Sequence, residues 1–208
     1  MKIAIIQLYD DGRKGYGDLT GDVASQYCDR HGYTYIRYRE LIDPNLIPTW
    51  NKLIAVRNEL QKFNWVLWLD ADALIVNPTH RIEDVIGSVE DGKEMLFSSD
   101  DQGLCAGVFF AKNTPWVTDF LNAVLLLGEI PDCGHLHEQK TIKTLFEQYP
   151  NVQRKIGLVP DSCIHYPYSQ FNPQAFIMHY WAISNPFESA EINMRNIVKH
   201  GWAKPFMR

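Results

Sequence analysis

Hydrophobic positions along the chain fall into short runs separated by polar, glycine-bearing stretches. "KIAIIQL" at the start is a continuous apolar run, the form of a strand buried on both faces of a parallel sheet. "DDGRKGYGD" follows as a glycine-rich polar loop. Thr20 to Arg30 then place Val23, Ala24 and Tyr27 on one helical face, with Gly32 as a stop. "YTYIRY" alternates like a strand. Pro48 and Thr49 open an amphipathic helix whose apolar stripe is Leu53, Val56, Leu60 and Phe63. Trp65 to Leu69 reads as a second buried strand, and "NPTHRIEDVIGSV" as a turn and a short helix. "EMLFSS" and "GVFFAKN" are further strands, and Thr114 and Pro115 start a helix running to about Leu127. Glu138 to Gln148 form a shorter helix, "AFIMHYW" a late strand, and "SAEINMRNIVKHG" a final helix ending at Gly201. Strands and helices that alternate in this way predict an α/β fold with a mostly parallel central sheet flanked by helices.

One stretch breaks the pattern. "WVLWLDADALIVNP" carries Asp70 and Asp72 inside an otherwise apolar run. On a continuous strand, residues two apart point to the same side, roughly 6–7 Å apart. The two carboxylates then converge at the carboxyl end of a buried strand, where open α/β sheets bind ligands. Each buried charge costs several kcal/mol if unpaired, and no lysine or arginine lies close by in the sequence. A divalent cation resolves the conflict, and hard oxygen ligands suit Mg²⁺ or Mn²⁺. A lone pair of this spacing more often just caps a strand and its turn; the apolar run before it and the lack of a nearby lysine or arginine favour metal.

Composition narrows the picture further. A chain of 208 residues suffices for one domain with a real core. A net charge of −5 with no basic block argues against nucleic acid as a partner. The opening apolar run is too short for a signal peptide, and no later run is long enough to span a membrane. A soluble, cytoplasmic protein is therefore expected. Cys28, Cys105, Cys133 and Cys163 are widely spaced without a C-x-x-C pair, which argues against a structural zinc site and for reduced thiols.

Four blocks, in order, resemble GT-A glycosyltransferases, notably the glycogenin-like enzymes and the α-galactosyl, xylosyl and mannosyltransferases of plants and fungi. "TWNKLIAVRNELQKFNWVLWLDADALIVNP" is similar to the family's central motif, and "LCAGVFFAKNT" to its Asn-x-Gly-Val-Phe strand. "HEQKTIKTLF" is similar to its Asp-Gln helix start, and "MHYWAISNPF" to its His-Phe-x-Gly-x-x-Lys-Pro-Trp segment. Compact members without an anchor occur in bacteria and large algal viruses, and a chlorovirus-type enzyme domain is the nearest expectation.

The resemblance implies a GT-A domain over residues 1–208, with 1–100 mainly binding nucleotide and 101–208 mainly serving acceptor and catalysis. It implies Mn²⁺ or Mg²⁺, a UDP-sugar donor and a glycan acceptor. Asp70, Asp72 and His179 would hold the metal, Asp70 also touching the ribose. Leu8 and Tyr9 would hold the uracil by backbone contacts and stacking, and Tyr16 would fold over the nucleotide. Lys52 and, less directly, Arg57 would reach the donor sugar or its phosphates, and Cys105, Gly107 and Asn185 would line the donor site. Glu138, with Gln139 beside it, stands at the family's catalytic aspartate, and Asp100 and Asp101 are further carboxylate candidates. His135 and His137 lack a paired acidic cluster and do not read as a second metal site.

Departures from the family pattern gather around sugar and phosphates. Cys105 and Ala106 stand at a sugar-contacting asparagine and its polar neighbour, Glu138 at an aspartate, Ala182 at a glycine, and Asn185 at a phosphate-binding lysine. Less polar sugar contacts point to a donor such as a UDP-deoxyhexose beside the usual UDP-glucose. The longer Glu138 leaves retention and inversion both open. Two other functions fit part of the pattern. The missing lysine would suit a non-catalytic nucleotide-sugar or glycan-binding module. "VLWLDADALIV" also resembles the nucleophile strand of haloacid-dehalogenase phosphatases, but there the motif sits on the domain's first strand.

Overall fold

The run Ile3–Leu8 forms β1, buried along its whole length, because it lies at the middle of a sheet covered on both faces. The computed structural model describes residues 1–100, 103–131, 134, 136–159, 163–165, 174–180 and 195, with backbone alone at 100 and 165. After a 3₁₀ turn at Asp11–Arg13 come α1 (Lys14–His31), β2 (Thr34–Tyr38), α2 (Pro48–Leu60) and β3 (Trp65–Leu69). Then follow β4 (Ala73–Ile75), α3 (Ile82–Gly87), β5 (Met95–Asp100), β6 (Gly103–Lys112), α4 (Pro115–Leu127) and α5 (His137–Gln148). The described elements end with α6 (Pro150–Lys155), β7 (Ile156–Leu158), β8 (Ile164–His165) and β9 (Ile177–His179).

The central sheet has six strands in the order β2-β1-β3-β6-β5-β7, and β6 alone runs against the others. A second sheet of three strands, β4-β9-β8, lies beside it. Alternation along β1 divides the core into two layers. Ile3 and Ile5 face the layer of α1 and the small sheet, while Ala4 and Ile6 face α2 and α4. Leu53, Val56 and Leu60 on α2 are fully buried, each worth roughly 1.5–3 kcal/mol against exposure. Thr114 caps α4 by accepting the Val117 N–H at 3.3 Å, and Pro115 occupies the first turn, where no N–H is needed.

Three expectations are corrected. The glycine-rich stretch is not a loop: α1 begins at Lys14, six residues before Thr20. Its glycines permit close packing, because a Cβ at Gly17 would lie 2.6 Å from the Tyr9 ring and one at Gly21 would lie 2.4 Å from the Tyr35 hydroxyl. Second, "DALIV" does not prolong one strand: the chain turns at Asp70–Asp72, and β4 joins the small sheet. Third, α6, β7 and β8 were not expected, being too short to show a period, and the late strand is only Ile177–His179. The proposed final helix lies outside the described residues, apart from a helical Arg195.

Candidate active site

The Asp70–Asp72 turn closes the carboxyl end of β3, and each of its carbonyls is tied down. The Asp70 carbonyl accepts from Gln7 Nε2 at 3.3 Å and from the Ala73 N–H at 3.0 Å. The Ala71 carbonyl accepts from Thr20 Oγ1 at 2.8 Å, and the Asp72 carbonyl from the Tyr180 N–H at 3.0 Å. The Asp70 N–H donates to the Gly107 carbonyl at 2.9 Å. The carboxylates converge through this pinned turn, not through strand alternation, and the turn holds them at the rim of the sheet.

His179 ends β9, opposite Ala73 in the antiparallel ladder. Its Nε2 lies 3.2 Å from Asp72 Oδ1 and 4.0 Å from Asp70 Oδ2. One ligand atom from each of Asp70, Asp72 and His179 lies within 4.8 Å of the others. Two carboxylates and an imidazole form a donor set that suits Mn²⁺ or Mg²⁺, so the residues fit a divalent cation. Burial pushes the Asp72 carboxyl up, but His179 beside it outweighs this and holds it below the usual carboxylate range. Burial likewise disfavours the His179 imidazolium, yet Asp72 raises it well above an ordinary histidine. Without a cation the two form an ion pair, and a cation would take the place of the proton on the ring nitrogen.

Asp70 is not without a cation of its own. Lys52, buried on α2, lies 3.1 Å from Asp70 Oδ1 and 3.0 Å from Glu138 Oε1, and donates to the Ala106 carbonyl at 3.3 Å. Burial lowers the lysine's proton affinity, and the two carboxylates reverse that and raise it. Trp68 Nε1 donates to Asp70 Oδ1 at 2.7 Å. Glu138 is buried, and its Oε2 has no hydrogen-bond partner among the described residues. Gln139 Oε1 accepts the Ala106 N–H at 2.8 Å, which ties α5 to β6.

Lys52, Trp68 and the Asp70–Asp72 turn line a cleft of about 220 Å³ together with Leu8, Tyr9, Asp10, Arg13, Tyr16, Leu41, Pro48 and Thr49, while His179 and Glu138 lie buried behind its wall. The cleft opens at the carboxyl ends of β1 and β3. Tyr16 lies in the first turn of α1 and not in a loop; burial, then Asp72, raise its hydroxyl's pKa. The Tyr9 ring is already packed: Gly17 lies against it, the Arg39 guanidinium is 5.1 Å from its centroid, and its hydroxyl donates to Asp18 at 3.0 Å. The expected base stacking on that ring is therefore not supported.

Arg57 is not brought to the site. It points from α2 to α4, where it donates to Asn122 Oδ1 at 3.0 Å. Gly107 serves a different end from the one expected. A Cβ there would lie 2.0 Å from His179 Cε1, so this glycine makes room for the imidazole. Gly107→Ala is expected to push the ring aside, lowering Mn²⁺ affinity at least tenfold and stability by about 1–3 kcal/mol; Mn²⁺ titration and thermal unfolding measure both. Asp101 and Asn185 lie outside the described residues, as do Cys133, His135 and Ala182. Four site residues were not singled out from the sequence: Gln7, Thr20, Arg13 and Trp68. Gln7 left a signal, as the one polar residue of the fully buried β1.

A family model of galactosyl transferases, GMA12/MNN10, matches residues 21–91 and 87–194. The chain belongs to the galactosyl transferase GMA12/MNN10 family. Probable glycosyltransferase 6 of Oryza sativa subsp. japonica is 32% identical over 114 residues, which is 49% of this chain and 23% of that protein. An alpha-1,2-galactosyltransferase of Schizosaccharomyces pombe is 24% identical over 182 residues, 67% of this chain and 48% of that protein. The chain thus spans 23% to 48% of the length of these relatives. Among solved structures, a glycosyltransferase involved in glycosylation of the major capsid of PBCV-1 aligns with a TM-score of 0.74 at 18% identity, covering 94% of this chain and all of that one. The galactosyltransferase LgtC, in complex with donor and acceptor sugar analogs, aligns at 0.54 and 13% identity over 95% of both chains. These likenesses establish the GT-A fold. Membership in this family leaves the phosphatase alternative without support, as does the place of Asp70 after β3 rather than after the leading strand. No described helix is long and apolar enough to cross a membrane.

Proposed function

We propose that this chain is a metal-dependent glycosyltransferase domain that moves a sugar from a UDP-linked donor to a hydroxyl of a glycan acceptor. The observation that carries this reading is the Asp70–Asp72–His179 cluster, whose two carboxylates line a cleft formed by β1, β3, α1 and α2. When bound, a divalent cation supplies Lewis-acid stabilisation of the leaving diphosphate. Asp72 and His179 would hold the cation, and Asp70, fixed by Trp68 and Lys52, would complete the protein's share. The backbone of Leu8 and Tyr9 flanks the uracil. Arg13, on the cleft wall, offers a guanidinium to the diphosphate, which would compensate for asparagine at position 185. Lys52 orients Asp70 and Glu138 instead of reaching the phosphates itself. Glu138 Oε1 shares the Lys52 ammonium with Asp70. In transfer, the acceptor oxygen bonds to C1, the C1–O bond to the diphosphate breaks, and the acceptor proton passes to a carboxylate or to the departing phosphate. Residues 1–100 then mainly hold nucleotide, and 101–208 mainly serve acceptor and catalysis.

Neither Cys105 nor Ala106 brings an amide or hydroxyl to the sugar side, which supports a deoxyhexose donor. The test is a panel of UDP-sugars with and without Mn²⁺, followed by release of UDP. Mn²⁺-dependent turnover is expected, with UDP-deoxyhexoses preferred. High rates with UDP-glucose and UDP-galactose alone would sink the sugar assignment. Mn²⁺-dependent binding without any turnover would favour a nucleotide-sugar binding module.

A further inference from the structure

We propose that Cys105 is a positioning residue for His179: its sulfur accepts the Nδ1–H of the ring and fixes Nε2 toward Asp72. The inference rests on the metal reading above. Cys105 Sγ lies 3.9 Å from Nδ1, and the other nitrogen, Nε2, lies 3.2 Å from Asp72 Oδ1. Both side chains are almost wholly buried, Cys105 at 4% and His179 at 4% exposure. A ligating histidine keeps its second N–H on an acceptor, and that bond selects which nitrogen meets the metal. Here the acceptor is a thiol, which is weak but present.

The backbone aims this thiol. The β5–β6 register shifts between Phe97 and Ser98: Phe97 pairs with Phe109, but Ser98 pairs with Cys105. Ala106, Gly107 and Val108 bulge between these two pairs. The Ser98 hydroxyl bonds to the carbonyls of Cys105, at 3.3 Å, and Val108, at 3.2 Å, and so clamps both ends of the bulge. A bulge beside a site re-aims side chains. This one brings Cys105 to the ring nitrogen and the bare Gly107 to the ring itself. The ring is thus confined by packing on one side and by a hydrogen bond at Nδ1.

Packing and hydrogen bonding separate in three variants of the full chain, Cys105→Ala, Cys105→Val and Cys105→Ser, whose Mn²⁺ affinity is read by electron paramagnetic resonance of the free ion. Thermal unfolding confirms that each folds. Alanine and valine, which have no acceptor, are expected to weaken Mn²⁺ binding about tenfold or more. Serine, which keeps an acceptor, is expected to stay within about threefold of the unsubstituted protein. Valine binding like the unsubstituted protein would overturn the proposal, because filling the space would then suffice. Serine as weak as alanine would also overturn it. If the unsubstituted protein binds no Mn²⁺, the metal reading fails and this inference with it. If that protein and all three variants bind alike, only the role of Cys105 fails.

Discussion

Metal-stimulated sugar transfer is expected to fall by about three orders of magnitude in the Asp72→Asn variant, while the fold survives. The Asp72 carboxylate faces His179 Nε2 at 3.2 Å, and its backbone carbonyl, which asparagine keeps, accepts from Tyr180. The substitution therefore removes charge and ligand strength but leaves the turn intact. A bound cation supplies several kcal/mol of charge stabilisation in such reactions, and each 1.4 kcal/mol or so is a factor of ten in rate. His179, relieved of its ion pair, returns to a neutral ring without leaving an unpaired buried charge. Initial rates of UDP release at saturating Mn²⁺ measure the loss, and thermal unfolding shows that the melting temperature has moved little. A variant that retains more than a tenth of the rate would remove Asp72 from the metal set.

The largest effect on stability belongs to Lys52→Met. Methionine matches the lysine stem in volume but not in charge. Asp70 and Glu138 then face each other across the gap that Nζ occupied, at 3.1 and 3.0 Å from the two carboxylates. Removing one partner from a buried ion pair costs about 3–5 kcal/mol, or roughly 10 °C in melting temperature for a chain of this size. Glu138→Gln introduced into Lys52→Met removes one of the stranded charges and is expected to recover part of the loss. This non-additivity separates charge balance from simple packing. Differential scanning calorimetry of the single and double variants measures it. If Lys52→Met melts with the unsubstituted protein, Lys52 is not the counter-ion of this cluster.

Long periodic segments were legible in the sequence. The stripe Leu53, Val56 and Leu60 gave α2, and the unbroken apolar runs gave β1 and β3, because both patterns report burial directly. The glycine-rich stretch misled, since glycine marks loops by conformation but here permits close approach: Gly17 and Gly21 let α1 lie against Tyr9 and Tyr35. The Asp70–Asp72 turn was hidden because apolar residues continue on both sides of it, in strands that belong to different sheets. The cluster was legible in two steps: Asp70 and Asp72 stood out as carboxylates in an apolar run, and His179 came only from the family resemblance. That Asp70 also pairs with Lys52 could not be seen, since the two lie on different elements and only packing of α2 against β3 brings them together. Arg57 illustrates the same limit. It lies five residues after Lys52, which turns it toward α4 and away from the cleft. The roles of Cys105 and Gly107 around His179 depend on a bulge in β6, a feature with no periodic signature.

The central claim is that Asp72 and His179 hold a divalent cation beside the donor's diphosphate. Crystals grown with Mn²⁺ and UDP, measured at the manganese absorption edge, test it most directly. One anomalous peak is expected, in direct coordination with Asp72 Oδ1 and His179 Nε2 and with the diphosphate oxygens. UDP bound in the cleft with no peak there, or a peak coordinated by other residues, would contradict it.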